Sequence, residues 1–230
     1  MPTRSIQERY PHLLTTEGWL YDEAAERTVD LLTYQSARNL TGDILEIGIY
    51  EGRYFILLAK CLGPDETILG VDIFKSREAR IPGSAQIERD DAILNLKRYL
   101  PEIWATERLV ILEEDSLDFA QSDYARTIHG TFRFISIDGS HDEVAVYSDL
   151  RLSHNLLLKG GLVALDDWNH DEPQQWPGVK TGWEMYDHWA TERKREPRLR
   201  VVAEIPNKLI LCNDGVWASD YRQVLKDRAP

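Results

Sequence analysis

Cysteine is nearly missing from this chain of 230 residues, with only Cys61 and Cys212, each in an apolar stretch. So sparse a pair argues against a disulfide scaffold, and both read as small buried hydrophobes. Positive charge is also short: 27 Lys and Arg stand against 39 Asp and Glu, for a formal net charge of -12. That balance opposes nucleic-acid binding, which needs a basic stripe, and opposes adhesion to an anionic membrane surface. Long apolar runs are lacking too, and none approaches the ~20 residues needed to span a bilayer. Residues 1–10 have no apolar core of a signal peptide, so a soluble cytoplasmic protein is the expectation. Internal repeats and low-complexity tracts are absent.

What the chain does contain is alternation. Residues 21–38 show helical spacing through Ala25, Val29 and Leu32. Short apolar runs then follow at 44–47, 68–73, 109–112, 132–137 and 162–165, separated by stretches of helical character at 53–62, 89–100, 117–127 and 143–158. Strands alternating with helices predict βαβ units and a mostly parallel, doubly wound α/β sheet, covered on both faces. Polar loops are expected at 74–87 and 169–178, and a helix at 179–193. Runs at 199–205 and 209–212 flank Pro206-Asn207-Lys208, a turn signal, so the sheet should close with an antiparallel hairpin. That makes seven strands.

Two regions carry chemistry. In Glu46-x-Gly48-x-x-x-Gly52, glycines follow the first strand where backbone must approach a ligand closely. A dinucleotide fingerprint would need glycine at 48, 50 and 53, and the chain has Tyr50 and Arg53 instead. A cofactor without a pyrophosphate tolerates that departure. Asp72 ends the second strand, where an acid can accept hydrogen bonds from ribose hydroxyls, and Asp115-Ser116 follows the third, placed to meet an adenine ring. The plainer alternatives are a solvated strand-end acid for Asp72 and a helix N-cap for Asp115.

At the other region, Ile137-Asp138-Gly139-Ser140-His141 ends the fourth strand and Asp166-Asp167 ends the fifth. Three carboxylates converging on one place repel unless a hard cation joins them, with Mg²⁺ the first choice and Mn²⁺ or Ca²⁺ open. Neighbouring strand residues face opposite ways, so Asp166 and Asp167 can share an ion only if the chain turns there. His141 can take a proton from a substrate hydroxyl. The plainer alternatives make Asp138 a cofactor-side acid, Asp166-Asp167 a cap, and His141 a helix-start residue. His12 and His129 are expected on the surface, His154 on a helix, and His170 and His188 nearer the pocket. Trp168, Trp176 and Trp183 flank the loop after the fifth strand as a lid or stacking surface, with Trp183 equally placed for the core. The segment holding Trp19 and Tyr21 either covers the cofactor pocket or supports a subunit contact.

The Glu46/Gly48/Gly52 turn, Asp72, Asp115-Ser116 and the terminal hairpin together resemble class I S-adenosylmethionine-dependent methyltransferases over residues 40–213. The resemblance implies that Glu46, Gly48 and Gly52 hold the methionine portion with Tyr50 packed over the cofactor. It assigns Asp72 to the ribose, and Asp115 and Ser116 to the adenine. Across residues 131–182 the chain more specifically resembles the macrocin O-methyltransferase-like family, through the Asp138 to His141 run, Tyr147 to Asp149, Gly160-Gly161, Asp166-Asp167 and Pro177-Gly178-Val179-Lys180. That likeness implies Asp138, Asp166 and Asp167 as metal ligands and His141 as general base. The expected organisation is a helical extension at 1–39, a methyltransferase domain at 40–213 and a tail at 214–230 packing nearby. The expected activity is metal-dependent O-methylation of a small natural product, a sugar or glycoside. The alternatives are a catechol-like phenolic O-methyltransferase or a cofactor-binding accessory protein without activity. A homo-oligomer is compatible with all of these.

Overall fold

A computed structural model describes residues 4–74, 89–169 and 176–227. Five strands run parallel: β1 (Asp43–Ile47), β2 (Ile68–Asp72), β3 (Leu109–Glu113), β4 (Phe132–Ile137) and β5 (Leu157–Asp166). β6 (Arg200–Ile205) and β7 (Lys208–Cys212) complete a seven-stranded sheet in the order β3-β2-β1-β4-β5-β7-β6. β7 pairs antiparallel with both β5 and β6, as the hairpin predicted. The strand order reverses between β1 and β4, so a crevice opens beyond their C-terminal ends, where sheets of this kind bind ligands.

The helices are α1 (Ile6–Arg9), α2 (Asp22–Ala37), α3 (Arg53–Ala59), α4 (Arg89–Tyr99), α5 (Pro101–Trp104), α6 (Ser116–Phe119), α7 (Asp123–Thr127), α8 (Glu143–Leu156), α9 (Pro177–Glu192) and α10 (Gly215–Asp227). Strand residues alternate between two apolar cores, as a period of two requires. Ile44, Phe134, Leu162 and Ile210 point to the core shared with α2, α3 and Tyr221 of α10. Leu45, Ile135, Val163 and Leu209 point to the core under α8 and α9. Ile6 and Leu13 also belong to the first core, so the N-terminal segment packs against the same sheet.

Several boundaries differ from those expected. The region 117–127 forms two short helices, each opened by its own side-chain cap, Asp115 on Leu117 N–H at 3.0 Å and Ser122 on Ala125 N–H at 3.0 Å. β5 starts earlier than its apolar run because Gly160, at φ 86°, absorbs a register shift against β4. Residues 215–227 form a helix whose Trp217, Tyr221 and Leu225 repeat at helical spacing and pack on α2 and β6. Residues 75–87 of the expected first loop, and 170–175 of the second, lie outside the described residues. His12 is fully buried rather than on the surface: its Nε2 lies 3.1 Å from the Arg53 carbonyl, and it sits between Tyr10 and Tyr99. Burial lowers its pKa to about 4. Among the described residues no helix is long and apolar enough to cross a membrane. Cys61 and Cys212 are both free thiols.

Candidate active site

The turn after β1 is built around Gly48, at φ 86°. A Cβ there would lie 2.0 Å from the Asp138 carbonyl oxygen, so only glycine lets the tips of β1 and β4 meet. Tyr50 follows at φ 53° and Gly52 at φ 91°. Asp72 holds this turn in place, its Oδ2 accepting Ile49 N–H at 2.6 Å and Tyr50 N–H at 2.9 Å. Its Oδ1 accepts Phe74 N–H at 2.7 Å. Asp72 is thus a brace across two strand tips, a role the sequence reading did not include. Tyr50 packs against Trp19 with ring centroids 5.5 Å apart, and Arg53 donates to the Gly18 carbonyl at 2.6 Å. The N-terminal segment therefore lies along the rim of the turn.

Glu46 is 1 % exposed, and its Oε2 has no hydrogen-bond partner. Burial pushes its carboxyl well above the usual range; Lys208 opposes this, while Asp166 and Asp72 add to it. At the tip of β3, Asp115 is the N-cap of α6, and Ser116 Oγ donates to buried Asp149 Oδ2 at 3.3 Å.

Beyond β4 and β5 the acids meet. Asp167 takes a left-handed conformation at φ 55°, so the chain does turn at the strand end. Its Oδ2 lies 2.5 Å from His141 Nε2, and its Oδ1 accepts from Asn207 Nδ2 at 3.1 Å. Burial would raise the Asp167 carboxyl, but these hydrogen bonds outweigh it and the group sits below its ordinary range. One side-chain ligand atom each from Asp138, His141 and Asp167 falls within 4.8 Å of the others. Asp166 lines the same pocket but has different partners. Its Oδ2 is 2.5 Å from Lys208 Nζ, and its Oδ1 accepts from Asn207 Nδ2 at 3.0 Å and Asp167 N–H at 2.9 Å. Burial, followed by the nearby Asp166 carboxylate, raises Asp138 well above the normal range, against the opposing pull of Lys208. The three aspartates and His141 line one small pocket, with Lys208 against Asp166 and the imidazole against Asp167.

α9 closes the cleft from above. A Cβ on Gly178 would lie 2.2 Å from the His141 carbonyl oxygen, so glycine allows the helix start to press on the His141 loop. Trp176, just before α9, stacks on the imidazole at 3.9 Å and 27°. Trp183 instead packs in the core, stacked on Tyr186 at 5.7 Å. Trp168 lies under the ammonium of Lys180. His188 is on the exposed side of α9, paired with Glu192 at 3.3 Å, and does not line the cleft. His154 contacts Tyr186 and Trp189, and exposed His129 follows α7. His170 lies outside the described residues. A wider open groove, lined by His154, Lys159, Glu196 and Asp214 among others, is at the start of β5, the opposite end of the sheet from these groups.

The arrangement fits two guests. An unpartnered buried carboxylate oxygen beside a glycine turn suits a cationic end of a small cofactor, and the acid cluster at the β4 and β5 tips suits a hard cation. The pairing of Lys208 with Asp166 spans 42 residues, and its one local signal is the place of Lys208 directly after the Pro206-Asn207 turn.

Comparison with known proteins places this geometry in a family. Residues 45–168 match a family model described as a methyltransferase domain. No curated protein matches. Among solved structures, the chain is similar to an O-methyltransferase from Bacillus cereus in complex with SAH, at 19 % identity and TM-score 0.60, covering 92 % of this chain and 91 % of that one. It is similar to CalS11, a TDP-rhamnose 3'-O-methyltransferase of calicheamicin biosynthesis, at 20 % identity and TM-score 0.54, covering 90 % and 81 %. It is also similar to MycE, a methyltransferase of the mycinamycin pathway in complex with Mg and SAH, at 16 % identity and TM-score 0.57, covering 92 % and 55 %. These likenesses establish the class I methyltransferase fold, and because the family model spans more than half of the chain, the protein belongs to this methyltransferase-domain family.

Proposed function

We propose that the protein is an S-adenosylmethionine-dependent O-methyltransferase that uses a divalent cation, Mg²⁺ in the first instance, and methylates a hydroxyl of a sugar or glycoside. The observation that carries this reading is the meeting of Asp138, His141 and Asp167 at two strand tips, next to the unpartnered oxygen of Glu46. The fold and the kinship with CalS11 and MycE support it.

S-adenosylmethionine supplies a methyl carbon activated by a sulfonium, and a divalent ion supplies a Lewis acid for the acceptor oxygen. The chain's own residues do the rest. Glu46 accepts the cofactor's ammonium group, and the turn from Gly48 to Gly52, braced by Asp72, brings backbone against its methionine end. Asp138, Asp166 and Asp167 are the carboxyl groups that would hold the cation, whose charge would favour their ionised forms. His141 donates its Nε2 proton to Asp167, which leaves Nδ1 as the lone pair that receives the acceptor hydroxyl's proton. Asp167 fixes that tautomer and the stacked Trp176 fixes the ring plane, and both favour the imidazolium formed on proton transfer. Water exclusion falls to α9 and Trp176, which cover the loop from one side.

The test is methyl transfer from labelled S-adenosylmethionine to a panel of glycosides with vicinal diols and a panel of catechols, with Mg²⁺ or with a chelator. Transfer to a glycoside that stops on chelation is the expected result. Transfer to catechols alone would reassign the acceptor, and binding of cofactor with no transfer to any hydroxyl would indicate an accessory protein.

A further inference from the structure

Asp149 is 0 % exposed, in the stretch of α8 that carries Val146 and Leu150 into the core under α8 and α9. Its Oδ2 accepts the Ser116 hydroxyl at 3.3 Å, and its Oδ1 has no hydrogen-bond partner among the described residues. A carboxyl buried with a single hydrogen bond costs stability, because the water it gave up is replaced on one oxygen only. The fold by itself would be better served by an apolar side chain of similar size at this position.

What this carboxyl reaches is the ligand side of the sheet. β3 runs beside β2 as far as Glu113, opposite Asp72, and the Glu114 N–H donates to the Asp72 carbonyl at 3.0 Å. Asp115 and Ser116 follow at once, beside the residue that braces the turn after β1. Asp115 accepts the Leu117 N–H that opens α6, while half-buried Ser116 is backed by Asp149 where α6 packs on α8. A serine hydroxyl has one proton and two lone pairs. With the proton committed inward to a carboxylate, the lone pairs are what Ser116 offers the crevice. An acceptor in that position suits the amino group of an adenine.

We propose that Asp149 is a positioning residue for the purine end of the cofactor: by accepting the Ser116 hydroxyl, it sets how the Asp115-Ser116 step meets the base. The inference rests on the use of S-adenosylmethionine proposed above. Asp149 acts through Ser116 and touches neither the cofactor nor the reacting atoms.

Calorimetric titration of the full chain at pH 8, above the pKa of about 7 to which burial raises Asp149, tests it with two probes. One is S-adenosylhomocysteine; the other is S-inosylhomocysteine, whose base carries an oxygen in place of the amino group. Wild type should prefer the adenosyl ligand, and Asp149→Leu should lower that preference by about tenfold, through loss of one oriented hydrogen bond. Asp149→Asn keeps an acceptor oxygen for Ser116 and should hold the preference within about threefold of wild type. Ser116→Ala should lose as much as Asp149→Leu, and the double variant no more than either, because the two residues act as one unit. A purely structural carboxyl would weaken both ligands equally and leave their ratio unmoved. An unchanged ratio in Asp149→Leu therefore overturns the inference. Should that variant not fold, Ser116→Ala alters only a half-buried side chain, and a wild-type ratio there overturns the inference as well. A wild type that binds neither ligand would refute the S-adenosylmethionine reading and this inference with it. Binding by wild type with an unmoved ratio in the variants refutes the inference alone.

Discussion

Asp72 Oδ2 accepts the backbone N–H of Tyr50 at 2.9 Å, tying the tip of β2 to a left-handed residue in the turn after β1. Tyr50 and its neighbours are held in an uncommon conformation by a carboxylate from the next strand. Asp72→Ala should therefore weaken S-adenosylmethionine binding by about tenfold or more through the loosened turn, with Mg²⁺ affinity retained. Parallel titrations of cofactor and metal measure this. Equal losses for both would place Asp72 in a role other than bracing the cofactor turn.

His141 is oriented on two sides, by Asp167 at 2.5 Å and by Trp176 stacked at 3.9 Å. His141→Ala should lower kcat by about 10²- to 10⁴-fold, the usual contribution of a general base. The rising limb of the pH–rate profile should flatten in the same variant, and cofactor affinity should hold. An unaltered pH profile would remove His141 from proton transfer.

Glu46 is buried with its carboxyl held well above the normal range, and an incoming ammonium group favours the carboxylate and so opposes that rise. Cofactor binding should accordingly release protons, over the pH range in which the free carboxyl still holds one. Calorimetry in two buffers of different ionisation enthalpy reads this directly, and Glu46→Gln should bind more weakly without the proton release. Identical proton counts for the two proteins would exclude Glu46 as the source.

Asp149 lies buried on α8, and burial raises its pKa from 3.8 to about 7, only partly offset by the hydrogen bond from Ser116. The folded state thus holds a proton that the unfolded chain has released across that window. Its contribution to stability is lost as pH rises from about 4 to about 7, at roughly 1.4 kcal/mol per pKa unit. Asp149→Asn resembles the protonated form, so it should melt at a higher temperature than wild type at pH 8 and at nearly the same temperature at pH 4. Thermal melts at the two pH values decide; a difference in melting temperature that ignores pH would show that Asp149 stays ionised in the fold.

Much of the fold was legible because it depends on local pattern. The apolar run 132–137 is β4 to the residue, and the Pro206-Asn207 turn correctly closed the hairpin, with Asn207 at φ 61°. α10 was also legible, in the spacing of Trp217, Tyr221 and Leu225, yet it read as a tail because polar residues separate them. His12 misled for a different reason: its burial comes from Tyr99 and Arg53, residues distant in the chain that no local pattern announces. Ser116 is engaged by Asp149, 33 residues away. Such pairings depend on how helices dock on the sheet.

From the amino-acid order alone come the alternating strands and helices, the glycine turn after β1, and the placing of acids and an imidazole at the ends of β4 and β5. These follow from short-range rules of periodicity, turn geometry and strand length. Tertiary structure decided how those acids are shared. The left-handed turn at Asp167 lets Asn207 bridge both acids, and the antiparallel register of β7 sets Lys208 against Asp166 across 42 residues of sequence. Strand register between distant segments is set by the packing of whole faces, and it is this packing that gives Asp166 a lysine partner and leaves Asp167 to the imidazole.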